Sequence, residues 1–230
     1  MNVTAITCCG RPHPLGLEGY PRFSWNTVGF VPASYRICIR EEGGDALAYD
    51  TGVCPSADTH EVEVPFLGRP RTAYRVTVTS FDAAGGEATG DCTFETGLVP
   101  ADTADGWITA PGVTAPCFCR DIPVTGRCTR GRLYVCALGY GDVRLNGRPM
   151  QEEYFVPAWS DFHPRDMSNL LYPITDRFSH SSYYLTYDVT DRLEPGENRL
   201  SVTVGNGFYH QIRRQNCTDG GHSRCAAELD

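Results

Sequence analysis

Eleven cysteines are the first residues whose chemistry needs an account in this 230-residue sequence. Their number is odd and their spacing is irregular, which is unlike a disulfide scaffold. Cys117, Cys119 and Cys128 form a Cys-x-Cys pair with a third cysteine nine residues on, whereas structural zinc favours Cys-x-x-Cys or mixed Cys and His spacings. A second set fits no better: Cys217, His222 and Cys225. We therefore expect ordinary reduced thiols that pack as small hydrophobic side chains, with no zinc.

The charged side chains give no pattern for catalysis. Four aspartates are expected at turns and strand ends, with no case for an acid and base pair: Asp50, Asp82, Asp188 and Asp191. A polar cluster stands near the C-terminal end: His210, Gln211, Arg213 and Arg214. A solvated face or an inter-domain contact accounts for this cluster better than catalysis does. No catalytic residue is predicted.

Composition narrows the classes of partner. The net charge is −8 and the pI is about 5.2, which argues against nucleic-acid binding, because phosphate recognition needs a surplus of basic residues. The 20 basic residues are all arginine. The N-terminal stretch has no basic segment followed by a long apolar run, and no 18-residue apolar stretch occurs. We expect a cytoplasmic protein without a membrane partner.

The elements that must position any site are β-strands. From Arg22 to Leu98 the apolar residues mostly alternate with polar ones, and the segments are divided by Gly, Pro and Asp turns. The predicted strands are RFSW (22–25), SYRICIR (34–40), ALAYDTG (46–52), HEVEVPF (60–66), AYRVTVTSFD (73–82) and CTFETG (92–97). This pattern predicts an antiparallel sandwich of the immunoglobulin or fibronectin type III kind over residues 1–98, with Trp25 in its core.

Residues 99–116 lose the alternation and are predicted to form a linker, with Trp107 and Ile108 packed against one of the sandwiches. A second all-β unit is predicted over residues 117–230. In GRLYVCALGYGDVRLNGRPM (131–150) the pair Asn146-Gly147 favours a type I′ hairpin turn. Further strands are predicted around the turn EPGEN (194–198), and residues 163–182 are predicted to form a long loop.

The order of these motifs resembles one family. PLGLEGYPRFSW (14–25), AYRVTVTSFDAAG (73–85) and FETGL (94–98) resemble the fibronectin-like domain that begins many bacterial α-L-rhamnosidases. GRLYVCALGYGDVRLNGRPM, VPAWSDF (156–162), TYDVTDRLEPGENRLSV (186–202) and GNGFY (205–209) resemble the jelly-roll domain that follows it. The resemblance covers nearly the whole chain.

The resemblance implies that a complete member continues into an (α/α)6 barrel, where two carboxylates perform an inverting hydrolysis. No segment here matches that catalytic stretch. We therefore expect a fragment or truncated frame with no activity of its own, an accessory region that supports the missing C-terminal catalytic domain. A purely structural or protein-interaction tandem is the alternative. An incomplete jelly roll would leave an unpaired strand edge, so self-association is expected.

In related jelly-roll domains the WSDF and GNGFY motifs lie where a sugar, in some cases with calcium, is bound. The resemblance therefore implies a site for rhamnose-containing glycans at Trp159, Asp161, Asn206 and Tyr209, with Asp161 as the candidate calcium ligand. Aromatic faces suit the C–H surface of a sugar, and carboxylate and amide groups suit its hydroxyls. The competing interpretation places both rings in a core or interface and both polar residues in turns. The length of segment 163–182 departs from the family pattern and puts the transferred geometry in doubt.

Overall fold

The computed structural model describes residues 1–99, 102, 106–158, 160, 181–207 and 209, together with the backbone of 224–229. No α-helix occurs in these ranges, and all sheet pairings are antiparallel. The all-β prediction is therefore confirmed. In the part of the chain described, no helix has the length and apolar character needed to cross a membrane. The chain divides into two compact units, Met1–Asp102 and Thr103–Asp230.

The first unit is a sandwich of a three-stranded and a four-stranded sheet. One sheet has the order β1-β2-β5 and the other has the order β4-β3-β6-β7. The strands are β1 (Asn2–Cys8), β2 (Arg22–Val28), β3 (Ser34–Glu41), β4 (Leu47–Asp50), β5 (Val62–Glu63), β6 (Ala73–Phe81) and β7 (Glu87–Glu95). Seven short antiparallel strands in two sheets agree with the predicted immunoglobulin-like sandwich.

Alternation builds the core of this unit. Along β6 the side chains of Tyr74, Val76 and Val78 are all buried, as their shared face predicts. They meet Phe23 and Trp25, which β2 contributes from the opposite sheet. Trp25 is only 2% exposed, which confirms it as a core residue.

Three elements of this unit differ from the sequence-based expectation. Strand β5 is limited to Val62–Glu63, whereas a strand over residues 60–66 was expected. Strand β1 was not predicted, because a bulge between Thr4 and Thr7 breaks its period of two, with Ala5 at φ +50°. Even so, Val3, Ile6 and Cys8 are buried. Strand β7 begins at Glu87, five residues before the predicted start, because it pairs with β6 along its whole length. Edge position and cross-strand pairing decide such boundaries, and a local pattern does not show them.

The second unit contains two four-stranded sheets with the orders β13-β10-β15-β8 and β12-β11-β14-β9. The strands are β8 (Ile108–Thr109), β9 (Cys117–Val124), β10 (Arg132–Leu138), β11 (Tyr140–Leu145), β12 (Arg148–Pro149), β13 (Leu185–Asp188), β14 (Gly196–Gly205) and β15 (Arg224–Leu229). Strand β8 lies inside the predicted linker and pairs with β15. The segment does join the second unit, since Ile108 pairs with Cys225 through its backbone, but the side chains of Trp107 and Ile108 are 39% and 44% exposed and do not enter the core.

The predicted hairpin is confirmed. Asn146 and Gly147 have φ values of +52° and +75°, and Leu145 pairs with Arg148 across the turn. Positive φ at both central residues is the requirement of a type I′ turn. The core of the second unit lies between its sheets and contains these buried residues: Leu133, Val135, Ala137, Val143, Leu145, Val189, Leu200, Val202 and Val204.

The described cysteines are unpaired thiols, in agreement with the reduced state expected. Cys38 and Cys92 are buried, and burial raises the pKa of Cys92 to about 12. Cys136 is half-buried, and burial raises its pKa to about 11. Cys117 and Cys119 depart from the expected packing, because both side chains are exposed.

Candidate functional site

Two of the four predicted sugar-binding residues fall in the described ranges. Asn206 and Tyr209 follow the end of β14 in the second unit, and both are half-buried. Trp159 and Asp161 lie outside the described residues, so their distances to Asn206 and Tyr209 stay untested. We call the region where β11 begins and β14 ends, residues 139–141, 205–207 and 209, the motif end of the second unit.

Glycines allow two segments of backbone to meet at the motif end. Gly139 links β10 to β11 with φ +119°, and a Cβ added there would lie 2.1 Å from the carbonyl oxygen of Gly205. A Cβ added at Gly207 would lie 3.0 Å from Cα of Gly139. No real side chain tolerates the first of these distances. The GNG motif is therefore held directly against the start of β11.

Gln151 fixes the segment after β12 on the same end. Its Nε2 donates to the carbonyl oxygen of Gly141 at 2.5 Å, and its Oε1 accepts from the backbone N–H of Val143 at 3.1 Å. The N–H of Gly141 donates to the carbonyl oxygen of Val156 at 2.8 Å. These bonds replace the strand partner that β11 lacks beyond the short β12, so the segment is anchored by both its side chain and its backbone.

The anchored segment presents aromatic rings beside the motif end. The ring centroid of Phe155 lies 5.2 Å from that of Tyr140, with the planes inclined at 61°. Tyr154 is 88% exposed and Phe155 is 73% exposed, while Tyr140 is half-buried. We call Tyr140, Tyr154 and Phe155 the aromatic surface. Tyr140 pairs with Gly205 across the sheet, so this surface adjoins the GNG motif.

Negative charge accompanies the aromatic surface. Glu152 and Glu153 precede Tyr154 and are exposed. Burial, reinforced by the charge of Glu153, raises the pKa of Tyr187 to about 12, so this phenol stays neutral. Exposed carboxylates next to aromatic faces supply acceptors for the hydroxyl groups of a neutral ligand.

The calcium prediction depends on Asp161, which the described residues do not include. Among the residues that are described, no three His, Cys, Asp or Glu side chains come together as a metal site. The described part of the motif end therefore does not by itself supply the several oxygen ligands that calcium takes.

Sequence reasoning missed the aromatic surface. Tyr154 and Phe155 stand between two glutamates and VPAW, a stretch with no strand period, and nothing local indicates that their rings face solvent. Residue type is the signal that the sequence does contain. Two large aromatic residues in a segment bounded by charged residues and proline are either core residues or part of a binding surface.

Both units match known domain families. Residues 3–100 match the Rha78A-like N-terminal immunoglobulin domain, and residues 126–229 match the α-L-rhamnosidase N-terminal domain. An α-L-rhamnosidase of Formosa agariphila is 31% identical over 104 residues, which cover 45% of this chain and 9% of that protein. The chain therefore spans a small part of the length of the relatives it matches.

Solved structures agree on the fold. The native α-L-rhamnosidase of Aspergillus terreus aligns with 99% of this chain at a TM-score of 0.73 and 24% identity, which covers 27% of that enzyme chain. The α-L-rhamnosidase of Dictyoglumus thermophilum aligns with 100% of this chain at a TM-score of 0.76 and 20% identity, again covering 27% of the larger chain. The two domain matches together cover most of this chain, and they identify it as an immunoglobulin-like domain of the Rha78A type followed by an α-L-rhamnosidase N-terminal domain.

Proposed function

We propose that this chain is a non-catalytic accessory region of an α-L-rhamnosidase, and that the motif end of its second unit binds rhamnose-containing glycans. The observation that carries the proposal is the aromatic surface, in which the exposed ring of Phe155, next in sequence to exposed Tyr154, contacts Tyr140, the residue that pairs with Gly205 of the GNGFY motif. A monomeric protein seldom leaves neighbouring large aromatic rings in water without a use for them.

The chemistry of the surface suits a deoxy sugar. L-rhamnose presents a methyl group and C–H bonds that pack on aromatic faces, and hydroxyl groups that bond to amides and carboxylates. Asn206, Glu152 and Glu153 supply those polar groups on the same end of the unit. The absence of lysine and the net charge of −8 leave neutral ligands favoured over anionic ones.

Isothermal calorimetry with L-rhamnose, in the presence and absence of calcium, tests the proposal on the whole chain. We expect heat of binding from L-rhamnose and weaker binding of L-mannose, which differs by a hydroxyl at C6. Tyr154→Ala and Phe155→Ala should each weaken binding roughly 3- to 10-fold, because a stacked ring contributes about 0.5–1.5 kcal/mol beyond its buried area. Tyr20→Ala removes an exposed ring of the first unit and serves as the matched control.

Two results would count against the proposal. No heat at millimolar L-rhamnose, with or without calcium, would leave the structural tandem as the better account. Release of nitrophenol from an aryl rhamnoside by this chain alone would overturn the non-catalytic assignment.

A further inference from the structure

Two thiols stand side by side on the surface of the second unit. Strand β9 is the last strand in the order β12-β11-β14-β9, and it begins with Cys117, Phe118 and Cys119. Because side chains alternate along a strand, Cys117 and Cys119 project from one face. Their Sγ atoms are 3.7 Å apart. Of the described cysteines, these are the two whose side chains are exposed.

Strand pairing identifies the face. Cys119 lies opposite Ser201 and Cys117 lies opposite Thr203 on β14, and residues directly opposite each other share a face. Val202 and Val204, which alternate with Ser201 and Thr203 along β14, are buried in the core. The two thiols are therefore on the outer, solvent-facing side of the sheet. They lie on β9, whose backbone pairing with β14 fixes their positions.

The sulfur separation fits one kind of ligand. Two Zn–S bonds of about 2.3 Å at the tetrahedral angle place the sulfur atoms about 3.8 Å apart. A disulfide needs the sulfurs at about 2.05 Å, and residues two apart in a strand have Cα atoms near the upper limit that a disulfide spans. The reduced pair therefore already has the spacing of two adjacent ligands of a tetrahedral ion.

We propose that Cys117 and Cys119 form a two-thiolate chelate for a divalent thiophilic ion of the zinc group, with water in the two remaining positions. On binding, each thiol releases its proton to solvent and each sulfur forms one bond to the ion. The site is open, unlike a structural zinc site with four protein ligands. It is separate from the glycan site proposed above and does not depend on it.

The third cysteine of the sequence pattern is not a ligand. Cys128 is half-buried and lies beside Gly131, where an added Cβ would be 3.3 Å from its sulfur. No group of three metal-binding side chains forms among the described residues. An open chelate with two protein ligands is a different arrangement. The geometry of strand β9 supports it, because the two sulfur atoms lie on one face, 3.7 Å apart.

Cadmium titration of the full reduced chain, followed by thiolate-to-metal absorption in the ultraviolet, tests this site. The cysteines outside the pair are unchanged in the variants of the pair, so the quantity of interest is the difference from Cys117→Ser/Cys119→Ser. We expect the pair to account for one tightly bound Cd²⁺ with the absorption of two thiolates. Each single variant should bind at least about tenfold more weakly, because the second thiolate closes the chelate within one molecule.

Cys128→Ser is the matched control and should bind cadmium as the unmodified chain does. Equal titration curves for the unmodified chain and the double variant would overturn the proposal. So would an equal loss in Cys128→Ser, which would indicate three thiolates. Circular dichroism of each variant checks folding, and phenylarsine oxide, which condenses with two neighbouring thiols and releases water, should label Cys128→Ser but not either single variant at the pair.

Discussion

The side chain of Asn146 donates from Nδ2 to Oδ1 of Asn198 at 2.8 Å. This bond joins the β11–β12 turn to the turn before β14, although the two residues are 52 positions apart. Asn198 is 1% exposed and also accepts from the N–H of Glu194 at 2.9 Å, while its Nδ2 donates to the carbonyl oxygen of Glu194 at 2.7 Å. The motifs LNG and EPGEN are therefore parts of one hydrogen-bonded structure.

Replacing Asn198 by alanine should destabilise the second unit. The change leaves the N–H and carbonyl of Glu194 without their side-chain partner, and because both bonds are part-buried the combined loss should cost about 1–3 kcal/mol. We expect urea unfolding to show a lower free energy of unfolding for Asn198→Ala. Asn26→Ala, at an exposed position of β2, should change it by less than about 0.5 kcal/mol.

Asn198→Asp refines this test, because aspartate keeps the shape of the side chain. It loses the Nδ2 donations to the carbonyl oxygens of Glu194 and Gly196, and it buries a carboxylate. Burial and the facing carbonyls should raise the pKa of the new carboxyl in the folded state. The destabilisation should therefore be large at neutral pH and should decrease as the pH falls and the carboxyl is protonated. A variant as stable as the unmodified chain at pH 7 would contradict the network.

Gly139→Ala should be much more harmful than alanine at another glycine with positive φ. The added Cβ would lie 2.1 Å from the carbonyl oxygen of Gly205, so the GNG segment must move. Gly196 has φ +106° and no atom within 4 Å of an added Cβ, which makes it the matched control. Gly196→Ala carries only the backbone strain, about 1–3 kcal/mol.

Thermal unfolding and L-rhamnose calorimetry together measure the consequences. A larger loss of stability in Gly139→Ala than in Gly196→Ala would be due to the clash alone. Weaker sugar binding in Gly139→Ala is expected wherever the protein remains folded, because the clash displaces the motif that carries Asn206. Equal stability of the two variants would contradict the close backbone approach.

Local chemistry predicted the parts of the fold that depend on neighbours in sequence. The pair Asn146-Gly147 specified its turn because both residues accept positive φ, and Tyr74, Val76 and Val78 specified their buried face by alternation. Strand β1 was not predicted because a bulge at Ala5 interrupts the alternation of apolar and polar residues. The short β8 was not predicted because β15, its partner among the described strands, is more than a hundred residues away in sequence.

The candidate site was less predictable. Asn206 and Tyr209 were identified by resemblance, and their position depends on the contact between Gly139 and Gly205, which no local pattern encodes. Tyr154 and Phe155 are of residue types that are usually buried, and their exposure is seen only in the folded structure. The distance between Cys117 and Cys119 follows from the strand itself, since alternation places residues two apart on one face.

Trp25→Phe should lower the free energy of unfolding by less than the lost side-chain volume alone implies. The indole Nε1–H of Trp25 is buried and has no hydrogen-bond acceptor among the described residues. Its removal eliminates an unsatisfied donor, which offsets part of the packing lost with the smaller ring. Trp25→Ala removes the same donor but leaves a large cavity, and it should cost about 3–5 kcal/mol.

Urea unfolding followed by circular dichroism compares the two variants without relying on tryptophan fluorescence. We expect Trp25→Phe to retain most of the stability, since phenylalanine can still pack edge-on against Tyr35, whose ring centroid lies 5.5 Å from that of Trp25. Equal losses in the two variants would contradict the expectation that phenylalanine retains most of the packing of Trp25.

Asp50 should make the first unit sensitive to acid. Its carboxylate accepts from Nε of Arg36 at 2.9 Å and from Nη2 at 2.5 Å, and Oδ1 also accepts from the N–H of Gly52 at 2.9 Å. The hydrogen bonds from Arg36, followed by that from Gly52, lower the pKa of Asp50 well below its ordinary value of 3.8. A carboxyl whose pKa is lower in the folded state stabilises the fold above its unfolded pKa, and this contribution is lost as the pH falls through the folded pKa.

Asp50→Asn should therefore lower the free energy of unfolding at neutral pH, and the difference from the unmodified chain should shrink as the pH falls below about 4. Chemical unfolding between pH 7 and pH 2 measures this difference, and added salt should reduce it because the ion pair is partly exposed. Asp45→Asn, at an exposed position before β4, controls for the general effect of removing one negative charge. A difference between Asp50→Asn and the unmodified chain that stays constant down to pH 2 would show that the Arg36 pairing does not hold the carboxylate in its ionised form.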